Sequence, residues 1–398
     1  MRFGPGLLIT AAFIGPGTIT TASLAGANFG FSLLWVLLFA VIATIILQGM
    51  AAKLGLATGQ GLAESLRSQL PVGIPRYLSA FLVVSAIGIG SAAYEAGNLT
   101  GAALGLNAIF SGSVQLWALL LAGIAALLLY SGKHNVLEKV LMGLVIMMSI
   151  VFITTMFLSR PDPAALLSGL VIPQIPDGSL TTLLALIGTT IVPYNLFLHA
   201  SLMAKRNSTD WQKDLPGMNA DNGLSIGLGG LITLAIVATA SATFYGNALA
   251  GTPNNAASMA NQLEPLLGSA AQVFFATGLF AAGLTSAITA PLAGAYAVCG
   301  MLGWSTDLRS RPFRLVLLAI LLCGVIGASL SMSPLAIILF AQATNGLLLP
   351  VVALYLLWLM NRKALLANHV NSHLANLAGA AVVLFLCGLS GYKLWSLL

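Results

Sequence analysis

Two stretches of this chain interrupt long apolar runs with residues that break helices. The first reads Ala11-Ala12-Phe13-Ile14-Gly15-Pro16-Gly17-Thr18, the second Gly188-Thr189-Thr190-Ile191-Val192-Pro193-Tyr194-Asn195. Proline removes a backbone donor and flanking glycines lower the cost of unwinding, so each stretch can part into two half-helices with free backbone groups between them. The chemistry such gaps can do is ion binding, through backbone groups, the hydroxyls of Thr18, Thr189, Thr190 and Tyr194, and the Asn195 amide. A pair of ordinary proline kinks would leave the same marks one at a time. The breaks fall five spans apart, as two inverted repeats with a substrate site between them require.

Other ionisable residues narrow the picture. Of ten acidic residues, Glu95 alone sits well inside an apolar span, in Tyr94-Glu95-Ala96-Gly97-Asn98. A carboxylate there costs about 3 kcal/mol or more and by default marks an ion or proton path; the alternative is a Glu hydrogen-bonded to a neighbouring helix. His199, one turn beyond the second break, is either a proton-path residue or an interior histidine satisfied by a neighbour, and the second reading is favoured. No Lys or Arg lies in the central part of any span. Intramembrane hydrolysis needs a Ser/His pair, paired Asp residues or a zinc cluster, and these parts are missing, so an enzyme is not expected.

The elements that position these residues follow from composition. The 398 residues are 58% hydrophobic and 7% charged, with a mean hydropathy of +0.97. A soluble domain carries about 25% charged residues. So little charge excludes a soluble enzyme, a nucleic-acid binder and a disordered scaffold, and leaves a polytopic membrane protein in a lipid bilayer. With about 20 apolar residues per span, roughly eleven spans are expected. They fall near 6–29, 31–56, 77–111, 114–130, 136–159, 180–204, 223–250, 266–302, 312–331, 334–360 and 373–394. No soluble domain is left over, so residues 1–398 read as one transporter domain, with the first span retained rather than cleaved as a signal peptide. An inside N-terminus leaves only Arg160 and Lys393 of the sixteen Lys and Arg outside. That bias predicts a plasma (inner) membrane protein with its N-terminus cytoplasmic and its C-terminus outside. Cys299, Cys323 and Cys387 lie far apart in apolar runs, so neither a disulfide framework nor a zinc site is indicated.

Several of these residues carry a family resemblance. Ala22-Ser23-Leu24-Ala25-Gly26-Ala27-Asn28-Phe29-Gly30 continues through Leu33-Leu34-Trp35 to Gln48 and Ala51-Ala52-Lys53-Leu54-Gly55-Leu56-Ala57-Thr58-Gly59-Gln60-Gly61-Leu62-Ala63-Glu64. With Pro193, Asn195-Leu196, Leu198-His199, Ala281-Ala282-Gly283, Gln342 and Leu348-Leu349-Pro350, this closely resembles the Nramp family of divalent-metal transporters across nearly the whole chain. The resemblance implies the LeuT fold: an all-α membrane protein of two inverted five-helix repeats, spans 1–5 and 6–10, plus an eleventh helix, with spans 1 and 6 broken.

The substrate motifs depart from that family. Its metal transporters carry Asp-Pro-Gly-Asn in the first break and Met-Pro-His-Asn in the second; here stand Gly15-Pro16-Gly17-Thr18 and Val192-Pro193-Tyr194-Asn195. Glu95 falls where the family has Asp, and Asn98 where it has a second acid. A Mn²⁺ or Fe²⁺ site needs anionic or nitrogen ligands, and Mg²⁺ usually keeps one or two carboxylates. Half-helix N-termini near Thr18 and Tyr194 suit a small anion better. A co-bound cation would offset its charge. Gly283-Leu284-Thr285-Ser286 resembles the Gly-Leu-Thr-Ser of sodium-coupled LeuT-fold transporters, which implies a Na⁺ site of Thr285, Ser286 and the carbonyls of Ala11 and Ile14. The chain therefore looks like the Nramp-related bicarbonate transporters. The expected substrate site is Gly15, Gly17, Thr18, Thr189, Val192, Tyr194 and Asn195, with Glu95, Asn98, His199 and Gln342 in coupling or the pathway. Na⁺ is the coupling ion; no cofactor, transition metal, nucleic acid or obligate protein partner is expected. The alternative is a Mg²⁺ or Mn²⁺ transporter, proton-coupled or uncoupled.

Overall fold

In the computed structural model, residues 14–110, 112–131, 135–206, 210–247, 253, 255–330 and 333–396 are described. Among them there are only helices and connections, with no strand. The long helices are α1 (Pro16–Phe29) and α2 (Leu34–Thr58), then, after the short α3 (Leu62–Gln69), α4 (Ile74–Ile109), α5 (Val114–Ser131) and α6 (Asn135–Leu158). The short α7 (Pro163–Val171) leads to α8 (Leu180–Thr190), α9 (Pro193–Ala204) and α10 (Trp211–Phe244). Two small helices, α11 (Ala256–Ala260) and α12 (Glu264–Leu267), precede α13 (Ala271–Leu302), α14 (Arg311–Ala328) and α15 (Pro334–Leu359). After α16 (Lys363–Leu366) the described chain closes with α17 (His373–Trp395).

Nine of the described helical segments are long and apolar enough to span a bilayer, with α8 and α9 together forming one of them. A tenth arises if Val145–Leu158 and Pro163–Val171, bent by 118° from each other, count as one. The span expected over 6–29 is described from residue 14 onward, as α1. Between the spans expected at 136–159 and 180–204, where no element is expected, α7 forms. Asp162 caps it by accepting from the Ala164 N–H (3.0 Å), and Pro163 occupies its first position. These are ordinary N-terminal helix signals, hidden because nine residues are too few to register as a span.

Packing among these helices rests on small residues, as expected where lipid removes the hydrophobic drive for helices to associate. α13 lies along α4 over the most extensive interface in the molecule. There Gly283 faces Ala102, and Gly105 faces the Ala276 carbonyl and Phe280. Large side chains point outward instead: Ile42, Leu119, Leu127, Phe157, Leu322 and Leu384 are exposed, as a lipid-facing surface requires. The polar groups gather inside, around the two breaks.

Candidate functional site

α8 ends at Thr190 and α9 restarts at Pro193, with Ile191 and Val192 in non-helical conformations between them. α1 begins in the same way, with Pro16 following an extended Gly15 (φ −105°, ψ −175°). Each half-helix thus opens on proline, and neither N-terminus receives a hydrogen bond from a capping side chain. The first turn of a helix holds N–H groups with no partner inside the helix, so each break carries an uncapped positive end. A hydroxyl–hydroxyl hydrogen bond of 2.7 Å between Thr18 and Thr189 ties the first break to the helix that ends at the second.

Neighbouring helices close the site with amides and phenols. A Cβ at Gly17 would strike the Gln342 side-chain amide, which α15 lays directly over the first break. Tyr94 and Tyr194 meet edge to face, with ring centroids 5.1 Å apart. Glu95 lies on the same turn of α4 as Asn98, whose Nδ2 donates to Glu95 Oε2 over 3.4 Å. All these side chains are buried, yet both polar atoms of Gln342, Asn98 Oδ1, Asn195 Oδ1 and Glu95 Oε1 have no protein partner. Unpartnered polar atoms in a dry interior are costly, and these gather beside the two breaks. No Lys or Arg is among the buried residues described, and the described residues hold no group of three or more His, Cys, Asp or Glu that could grip a metal.

Gly15, Gly17, Thr18, Thr189, Val192, Tyr194 and Asn195 lie together at the breaks, all buried. Ser286 faces Gly15: a Cβ there would stand 2.8 Å from its Oγ. Thr285 is buried beside it and donates to the Ala281 carbonyl (2.8 Å). Ile14 is buried, and Ala11 lies outside the described residues. His199 Nδ1 pairs with Gln48 Oε1 at 3.0 Å, so that nitrogen binds α2, while Nε2 has no protein partner. Tyr94 was not foreseen as a site residue. Its only signal was a hydroxyl next to Glu95 in an apolar span, which reads equally well as core.

The sequence pattern of the family described as "Natural resistance-associated macrophage protein-like" (Nramp) matches residues 6–396. The chain belongs to the Nramp family. Its members are transporters, and the "Divalent metal cation transporter MntH" of Yersinia pestis is 32% identical over 404 residues, covering 99% of this chain and 95% of that protein. The protein of that name from Erwinia tasmaniensis is 30% identical over 400 residues, covering 98% and 93%. Among solved structures, a manganese transporter of Eremococcus coleocola superposes with a TM-score of 0.80 at 22% identity, covering 97% of this chain and 84% of that one. MhsT in complex with L-phenylalanine superposes with a TM-score of 0.66 at 17% identity, covering 100% and 98%. These likenesses establish the LeuT-type membrane fold. This Nramp chain is therefore a multi-pass transporter of small inorganic ions.

One more acid of this Nramp chain is half-buried, away from the breaks. Glu64 on α3 packs against Gly61, and its Oε2 has no protein partner. Burial pushes its carboxyl above the ordinary 4.5, partly offset by its own backbone N–H, the Thr306 hydroxyl and the Lys205 ammonium. An acid whose pKa is raised on folding binds more protons in the native than in the unfolded state. Stability therefore falls as pH rises from about 4.5 through the raised value. Glu64→Gln is expected to melt higher than the parent at pH 7.5, with the gap closing toward pH 4.5. Melting curves of the two proteins at both pH values check this; equal melting temperatures at pH 7.5 would refute it.

Proposed function

We propose that this Nramp transporter takes up bicarbonate, with Na⁺ as the coupling ion. The observation that carries the reading is the first break: α1 starts at Pro16 behind Gly15, with no capping side chain, where the metal transporters of the family carry Asp. A carboxylate-like substrate can accept from that N-terminus as the missing side chain would. The Tyr194 hydroxyl and the Gln342 amide can donate to its remaining oxygens, with whichever of the Thr18 and Thr189 hydroxyls accepts in their mutual hydrogen bond. Helix N-termini supply only about 0.3–2 kcal/mol each, whereas burying an ion costs several kcal/mol. With no Lys or Arg among the described buried residues, a co-bound cation must supply the rest.

A second reading, transport of a divalent cation such as Mg²⁺ or Mn²⁺, is favoured by the relatives. The MntH proteins are named for divalent metal cations at 32% identity across 99% of this chain. Glu95, Asn98, Asn195 and Gln342 could present oxygens to such an ion. The replaced carboxylate and thioether count against it, because a Mn²⁺ site draws selectivity from anionic and soft ligands.

Radiolabelled bicarbonate uptake into proteoliposomes, with and without an inward Na⁺ gradient, separates the two when Mn²⁺ and Mg²⁺ uptake is followed in parallel vesicles. Na⁺-stimulated bicarbonate entry without divalent entry is expected. Divalent entry without bicarbonate entry would overturn the anion reading in favour of the metal one.

A further inference from the structure

Three helices leave a gap on the outer face of the molecule. α4 touches α14 where Gly324 lies against Glu95 and Gly327 against Ala96, and it touches α15 where Gly97 faces Ala341 and Ile338. α14 and α15 themselves meet over only a short stretch. Two helices that share one neighbour but diverge from each other leave a groove with that neighbour as its floor. Here the floor is Ile89, Ala92, Ala93 and Ala96 of α4, spaced i, i+3, i+4 and i+7 and therefore on one face of the helix. Three of the four are alanines, too small to fill the space. Cys323 and Leu330 form one wall, and Ile337 and Phe340 of α15 the other. The cavity measures about 350 Å³, within the roughly 300–1,000 Å³ of ordinary ligand sites.

We propose that this groove holds one acyl chain of a membrane lipid, lying lengthwise along α4. The groove is continuous with the lipid-facing surface: Ile89, Leu330 and Phe340 on its rim are exposed, as are Leu322 and Ile326 beside it on α14. Its lining carries no hydroxyl, amide or charged side chain, and water enters a cavity only where it finds polar partners. Left empty, the groove would cost its lining the dispersion contacts on one side. Shape favours a chain among apolar occupants. From Ile89 to Ala96 the floor runs about 10 Å along the helix at 1.5 Å per residue, and a flexible linear chain follows such a trough between two spans. Ala96, on the floor, stands between Glu95 and Asn98 in sequence. The chain therefore braces α4, α14 and α15 against one another on the turn that carries the buried acid, whichever ion the transporter moves.

The test reconstitutes the full-length protein with a phosphatidylcholine carrying a diazirine on one acyl chain, irradiates it and maps the adducts by mass spectrometry. Adducts along the groove on α4, α14 and α15 should exceed several-fold those on the exposed face of α17 at Leu377 and Leu384. Ala93→Phe, whose ring would occupy the groove, should bring the groove adducts down to the α17 level and leave α17 unchanged. Equal labelling of groove and α17 in the parent would make the groove an ordinary part of the lipid-facing surface and overturn the proposal. Groove residues labelled less than α17 would mean that protein covers them, a second copy of this chain included, and would overturn it too. Melting in delipidated detergent tests the bracing: added phosphatidylcholine should raise the melting temperature of the parent more than that of Ala93→Phe, because a ligand stabilises the folded state it binds. An equal rise for both would place the stabilising lipid elsewhere. Should Ala93→Phe fail to elute as a single folded species, the labelling ratio of the parent decides alone.

Discussion

A combined variant carrying Gly15→Asp, Thr18→Asn, Val192→Met and Tyr194→His is expected to bind Mn²⁺ and to lose bicarbonate uptake. These changes restore to the two breaks the groups that the metal-transporting members of the family carry there. Each has a physical role: the Asp supplies charge, the Asn a second oxygen, the Met a soft ligand and the His a nitrogen. The added Asp would also accept from the first turn of α1, filling with the protein's own carboxylate the place we assign to the substrate. Anion and carboxylate cannot share that end, so loss of one activity and gain of the other should come together. Mn²⁺ affinity measured by isothermal titration should rise at least about a hundredfold over the parent, ~2.7 kcal/mol. The Gly15→Asp side chain needs Ser286 Oγ, 2.8 Å from the new Cβ, to move. A hydroxyl on a single rotatable bond can do so, and Ser286→Ala in the same background is the remedy if it does not. A folded quadruple variant that still carries bicarbonate and ignores Mn²⁺ would show that the break residues do not set the sign of the substrate.

How much of such a site is legible in the sequence depends on whether its cause is local. The two breaks were legible because Pro16 and Pro193 restrict the backbone through their own covalent geometry, and because the spans around them are long enough to stand out from any soluble helix. Helices α3 and α7 were missed: eight and nine residues leave no apolar signature that a span-length window detects. Tyr94 was missed for another reason. A tyrosine in an apolar run faces lipid, core or cavity according to the roll of its helix, and that roll is fixed by α13 and α14, far away in sequence. The pairing of Gln342 with Gly17 is of this kind too. The resemblance pointed to Gln342, but only the crossing of α15 over the break places its amide there. The same holds for Asn98, whose position was noted and whose orientation depends on Glu95.

The largest stability effect is expected not at a polar residue but at Gly188, one turn before the second break. A Cβ there would strike the Gln342 backbone carbonyl and the Gly346 backbone, and one at Gly346 would stand 2.5 Å from the Leu184 carbonyl. α8 and α15 therefore cross backbone to backbone at a pair of glycines. At Gly17 the obstructing group is the end of a flexible side chain, which can swing aside. At Gly188 it is main chain on both sides, and the only relief is to push the two helices apart. That separation would strip contacts along the crossing and move Thr189 away from Thr18, whose 2.7 Å bond joins the two breaks. Alanine favours a helix over glycine by about 1 kcal/mol, while overpacking costs about 1–3 kcal/mol or more, so the clash prevails. Gly188→Ala should melt several degrees lower and lose transport. Gly123→Ala, on a face with nothing within 4 Å of the new Cβ, should melt at or slightly above the parent. Thermal melting of both variants in one detergent, with uptake assayed alongside, makes the comparison. A Gly188→Ala protein that melts and transports like the parent would mean that α8 and α15 do not close on each other in the working transporter, and the site built on their crossing would have to be redrawn.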